Sequence, residues 1–89
     1  NWALSLSERP FQAFKVTCGI TFTYGGVQID TTGSVLDTVG QRIPGLFAAG
    51  EVVGGLFFHG YPGGSGLLSG AVFGRAAGLS SANYASQRD

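Results

Sequence analysis

Charge, cysteine, histidine and long apolar runs are all scarce in this sequence, and each shortage narrows what the chain can do. Only 11% of its 89 residues are charged, where soluble domains carry about 25%. Much of the surface is therefore expected to be covered by other protein, and the chain reads as one part of a larger molecule. Five basic and five acidic residues cancel, which removes the electrostatic footprint of a nucleic-acid or anionic-membrane binder. The single cysteine, Cys18, excludes an internal disulfide and any multi-cysteine metal site, and fits a reducing, cytoplasmic compartment. By itself it reads as a small buried hydrophobe. His59 has no second histidine, acid or cysteine at ligand spacing, so no metal is expected. The apolar stretch from Leu46 to Phe58 is broken by Glu51 and several glycines and falls short of the about 20 residues a spanning helix needs, so no membrane insertion is expected. Internal repeats and low-complexity segments are absent.

What is abundant is glycine. Sixteen glycines in so short a chain are entropically costly and point to places where main chain approaches something closely. Trp2, Leu4 and Leu6 alternate in what reads as a connecting segment ending near Pro10. Phe14, Val16, Ile20 and Phe22 favour a strand over Phe11 to Thr23, and Val27 and Ile29 alternate with Gln28 and Asp30 in a second strand. Gly25-Gly26 between them reads as a hairpin turn. Val35 to Asp37 forms another short strand, Asp37 to Gly45 is loop, and Pro44-Gly45 suits a type II turn. Leu46 to Ala49, four apolar residues between glycines, reads as a strand buried on both faces, as in a parallel sheet. A helix capped by Ser65 follows from about Gly66 to Tyr84. Gly66, Gly70, Gly74 and Gly78 give it a ridge without bulk, beside Ala71, Ala77 and Ala82, suited to close packing.

Candidate chemistry clusters around the buried strand and the helix entrance. Glu51 stands where the strand ends, the position from which an α/β sheet presents ligands, and its carboxylate can accept from nucleotide hydroxyls. Gly63-Gly64-Ser65-Gly66 aims unpaired amides and the positive end of the helix dipole at whatever lies in front. Gly64-x-Gly66-x-x-Ser69-Gly70 nearly matches a dinucleotide fingerprint, but no strand precedes it, so it is not a pyrophosphate loop. The phenol of Tyr61 can donate to a substrate carbonyl or carboxylate. His59 can do acid-base work near neutral pH. Ser65 and Ser69 lack a His-Asp partner set, which excludes a hydrolase triad.

The run Ile43-Pro44-Gly45-Leu46-Phe47-Ala48-Ala49-Gly50-Glu51, followed by Gly54-Gly55, Gly63-Gly64-Ser65-Gly66 and Phe73-Gly74-Arg75, resembles the C-terminal part of fumarate reductase-like flavoproteins. Within that superfamily, Tyr61-Pro62-Gly63-Gly64 and the stretch Thr17 to Gly26 are most similar to tricarballylate dehydrogenases, and ketosteroid dehydrogenases share the Tyr-Pro-Gly element. The resemblance implies an α/β fold: the C-terminal fragment of a Rossmann-like FAD-binding domain, comprising a β-hairpin, the buried strand, the glycine-rich loop and the C-terminal helix. Residues 1–89 would form that part, with the N-terminal dinucleotide-binding unit and a capping domain supplied from outside the chain.

It further implies FAD held by Gly50, Glu51, Gly64, Ser65, Gly66, Leu67 and Leu68, with the helix entrance facing the pyrimidine edge of the flavin. Fumarate reductases carry a substrate-binding histidine and an arginine where this sequence has Phe22 and Tyr61. The implied enzyme is therefore an FAD-dependent dehydrogenase acting on a carbon-carbon single bond beside a carboxylate or ketone. Tyr61 is the catalytic candidate, and Phe22, Thr23, His59, Tyr61 and Ser65 would line the substrate side. Its partners are a small-molecule substrate and the remainder of the flavoprotein, and the isolated chain is expected not to catalyse. The competing reading is a small noncatalytic module whose glycine-ridged helix packs against a partner protein.

Overall fold

In the computed structural model, which describes residues 3–20 and 22–87, regular structure begins only beyond Tyr24. The order is β1 (Ser34–Leu36), β2 (Arg42–Phe47), one turn of 3-10 helix (Gly50–Val52) and α1 (Ser65–Ser86). Residues 3–20 carry neither strand nor helix and are exposed. The strand expected over Phe11 to Thr23 does not form in its described residues, because an extended segment becomes a strand only by finding a ladder partner. Thr21 and Trp2 lie outside the described residues. Cys18, expected to be buried, is exposed.

The hairpin therefore turns at a different place. Val27 to Asp30 pairs not with the preceding segment but with the following one, through an antiparallel bridge between Ile29 and Val35. The turn is the three-residue loop 31–33, closed by Asp30 and Ser34, whose backbones bond at 3.0 Å. Gly33 takes the left-handed conformation, φ +80°, that this loop type requires. The Asp30 carboxylate holds the loop from inside. Its Oδ1 accepts from the Thr32 amide at 2.8 Å, the Thr32 hydroxyl at 2.6 Å and the Ser34 amide at 3.1 Å. Its buried Oδ2 accepts no hydrogen bond of good angle and is met instead by Arg42 Nε at 2.5 Å. The same loop recurs seven residues on: Asp37 Oδ1 accepts from the Val39 and Gln41 amides, and Gly40 again has φ +80°. This second loop joins β1 to β2.

The short strand expected near Val35 is present as β1, paired antiparallel with β2. Their register runs from Ser34 opposite Phe47 to Leu36 opposite Arg42, so two residue steps on β1 face five on β2. The surplus in β2 contains Pro44 and Gly45, where Gly45 adopts φ +77°, the sign a type II turn needs. The expected doubly buried strand Leu46 to Ala49 is not observed: β2 stops at Phe47, and Leu46 is 46% exposed. Burial on both faces needs a layer on each, and among the described residues only α1 packs across β2. Parallel pairing occurs instead at a bridge between Val27 and Val53.

The core is small: among the described residues Val35, Val53, Ala77 and Ser34 are its buried side chains, with Gly33 and Gly54 buried beside them. Its centre is a contact between the first loop and the helix. A Cβ on Gly33 would stand 2.7 Å from Ala77 Cβ and 2.8 Å from its Cα, and Ser80 Oγ donates to the Thr32 carbonyl at 2.9 Å. Farther along, Tyr84 lies over Gly45 and meets Phe47 edge-on at 6.1 Å. Of the expected glycine ridge only Gly66 meets a neighbour among the described residues, a Cβ there standing 3.2 Å from the Phe22 ring, whereas one on Gly70, Gly74 or Gly78 would meet nothing within 4 Å. Ala77 makes the close approach because the residue opposite it is the one without a side chain.

Two loops of one design allow a controlled comparison. Gly40→Ala places a methyl in open space and is expected to cost about 1 kcal/mol from the left-handed backbone alone. Gly33→Ala adds overpacking against Ala77, roughly 1–3 kcal/mol more; denaturant titrations of both variants measure the difference. Asp30 supplies a pH signature. The Thr32 hydroxyl first, then the Thr32 and Ser34 amides and Arg42, hold its carboxyl down at about 2 against the opposing effect of burial. Because the folded value lies below the unfolded one, the stabilisation is full above pH of about 4 and is lost as pH falls toward 2. Asp30→Asn should flatten the dependence of Tm on pH across that window, and an unchanged slope would show that the carboxylate is not the titrating tie.

Candidate functional site

Two backbones cross with no side chain between them just below the site. Val27 N donates to the Val52 carbonyl at 2.9 Å, and Gly54 N donates to the Val27 carbonyl at 3.0 Å. A Cβ on Gly54 would lie 2.5 Å from Gly26 N, and one on Gly26 would collide with the Val52 carbonyl oxygen. Gly25-Gly26 is therefore a crossing point rather than a hairpin turn. The crossing brings the limb 22–24 beside the 3-10 turn that carries Glu51.

Glu51 projects from that turn, which opens at Gly50 with φ +80°. Glu51 is exposed, and its Oε1 accepts from the Thr23 amide at 3.3 Å, which joins residues 28 positions apart. At the helix entrance, Ser65 N donates to the Pro62 carbonyl at 3.1 Å, closing a turn in which Gly64 has φ 84° and ψ −12°. The helix cap is therefore Gly64 and not Ser65, which is already the first helical residue and makes no capping bond. A left-handed residue must precede the helix here, and glycine takes that conformation without a Cβ penalty. The closing bond engages the Ser65 amide, and Leu68 N is engaged with the Gly64 carbonyl at 3.1 Å. Among the described residues no acceptor meets the amides of Gly66 and Leu67, so the free donors of the first turn reduce to these two.

Both residues line a cavity of about 660 Å³, together with Phe22, Glu51, Tyr61, Gly64, Gly70 and Ala71. The structure thus gathers Phe22, Glu51, Tyr61, Gly64, Gly66 and Leu67 from the sequence candidates. Thr23 adjoins through its bond to Glu51. Gly50, Ser65 and Leu68 flank the lining without entering it, and His59 is exposed, its ring edge-on to Phe58 at 5.0 Å. Sequence reasoning missed Gly70 and Ala71, although each stands four residues after Gly66 or Leu67 and so shares a helix face with it. It also missed two of the rings around Tyr61, Phe57 at 5.3 Å and Tyr24 at 5.9 Å, which join the expected Phe22 at 5.1 Å. Phe22 and Tyr24, two apart in an extended segment, had the spacing that puts both on one side.

One anionic side chain, two unspent amides at a helix N-terminus and an apolar wall suit an extended ligand with hydroxyls at one end and an electron-rich planar edge at the other. Among the described residues, no group of three His, Cys, Asp or Glu side chains could hold a metal ion, and no helix is long and apolar enough to cross a membrane. Two smaller cavities, of about 430 and 300 Å³, contain none of the sequence candidates.

The pattern of the FAD binding domain family matches residues 4–68. The chain is 50% identical over 92% of its length to a probable fumarate reductase, Ifc3, of Shewanella frigidimarina, of which it covers 14%. It is 52% identical over 76% of its length to a fumarate reductase of Schizosaccharomyces pombe, covering 13%, and 38% identical over 99% to a vinyl phenol reductase of Lactiplantibacillus plantarum, covering 18%. The chain therefore spans less than a fifth of the length of these relatives. No solved structure matches it. With the family pattern extending from Leu4 through the helix entrance at Leu68, the chain belongs to the FAD binding domain family, and FAD is the cofactor.

Proposed function

We propose that this segment forms the flavin-facing floor of an FAD-dependent oxidoreductase that dehydrogenates a carbon-carbon single bond beside a carboxylate or ketone, or reduces the conjugated double bond in the reverse sense. The observation that carries the reading is the cavity shared by Glu51, the free amides of Gly66 and Leu67, Phe22 and Tyr61. Fumarate and a vinyl phenol, named for the relatives, both contain a carbon-carbon double bond conjugated to another π system. Bound FAD supplies the two-electron acceptor.

The chain's own residues hold and tune that acceptor. Glu51 accepts a hydrogen bond from a cofactor hydroxyl, a fit for a carboxylate whose partner here is one long backbone bond. The Gly66 and Leu67 amides, backed by the dipole of the 22-residue helix, stabilise negative charge at the ligand edge before them without reorganising. Tyr61 donates its phenolic proton to the substrate carbonyl or carboxylate, acidifying the adjacent carbon. Phe22 and Leu67 exclude water from the reacting face. The finer, tricarballylate dehydrogenase-like reading rests on the Tyr61-Pro62-Gly63-Gly64 stretch; the cavity lining has no cation among its described residues to meet several carboxylates. The exposed single cysteine is compatible with a cytoplasmic location.

Glu51→Ala is expected to weaken FAD binding about 10- to 100-fold, the value of one hydrogen bond to a charged group. Titration of the apoprotein with FAD measures this, and unchanged affinity would remove Glu51 from the site. Tyr61→Phe is expected to retain FAD and lower kcat by about 100-fold; full activity would leave the phenol without a role in the reaction.

A further inference from the structure

The wall around Tyr61 has a chemistry of its own. Its ring is the hub of four: Phe22 and Phe57 lie tilted against it at 43° and 46°, and Tyr24 meets it edge-on at 88°. Phe22 and Tyr24 also contact each other at 6.5 Å. Such packing on several sides holds the Tyr61 plane in place, and Tyr61 remains 38% exposed. Phe22 and Tyr61 line the cavity together with Leu67 and Ala71 of the helix. Among the described residues lining it, the one charged side chain is the acidic Glu51. A small dianion brought here would lose its hydration and find no cationic side chain among the described lining residues. A planar ring would replace water on surfaces that already favour tilted and edge-on aromatic contact.

We infer that the substrate taken by this cavity is a conjugated alkene carrying a planar ring and at most one carboxylate, with the ring seated against Phe22 and Tyr61. This rests on the cavity being the flavin and substrate site, and it adds the substrate class. The hydroxyl of Tyr61 is then left for the polar end of the molecule, and the fixed ring plane sets which face of the alkene is presented.

Cinnamate and fumarate form a matched pair of probes, since a phenyl group in one replaces a carboxylate in the other. Each is titrated into the oxidised full-length holoenzyme and followed by the absorbance change of the bound flavin and by calorimetry, which need no turnover. Cinnamate is expected to bind at least tenfold more tightly than fumarate. Phe22→Leu, which keeps an apolar side chain but removes the ring, is expected to weaken cinnamate about tenfold with flavin content unchanged. Tighter binding of fumarate, binding of neither probe, or wild-type cinnamate affinity in Phe22→Leu overturns the assignment while leaving the flavin site standing. Protein that takes up no FAD overturns the site itself and the assignment with it.

Discussion

The cavity depends on a close main-chain approach, in which Gly26 and Gly54 let two segments lie side by side where any Cβ would force them apart. The two backbone bonds between Val27 and the Val52 to Gly54 stretch are made because nothing intervenes. On one side of this crossing the chain leads to Phe22, Thr23 and Tyr24; on the other it leads back to Glu51. The Thr23 to Glu51 bond is the direct consequence. Gly33 does the same for the helix, letting the Asp30 loop rest on Ala77 and so fixing α1 against the hairpin. A chain with so few buried side chains is positioned mainly by contacts of this kind.

Electrostatics then divides the cavity. The helix entrance offers partial positive charge at two amides, and the 3-10 turn offers a full negative charge at Glu51. A ligand spanning both needs donors at one end and an electron-rich edge at the other, as the proposed seat of FAD requires. The aromatic wall from Phe22 to Phe57 adds a third character, neither donor nor acceptor except at the phenol tips. Asp30 shows the contrasting use of a carboxylate: its hydrogen bonds are all local, and it serves a loop rather than a ligand.

Much of this was legible where the cause is local. The helix, its glycine-rich entrance, the short strand near Val35 and the left-handed Gly45 follow from capping, periodicity and turn chemistry within a few residues of each other. So does a carboxylate at the end of an apolar stretch. The paired Asp-x-x-Gly loops were also present in the sequence, since aspartate beside a left-handed glycine is a turn with a mechanism, but Gly25-Gly26 offered a competing turn. Choosing between them required knowing which strand Val27 would join, and that bond partner lies 25 residues away at Val52.

What the sequence alone determined, then, is the set of parts: Glu51, the amide-bearing helix entrance, Tyr61 with its neighbouring Pro-Gly-Gly, and a chemistry suited to a flavin. Tertiary structure decided which parts meet. It set His59 outside the cavity and gathered three rings around Tyr61. Local rules act through bonds between near neighbours, whereas each of these outcomes turns on which group occupies a neighbouring space after the chain has crossed itself.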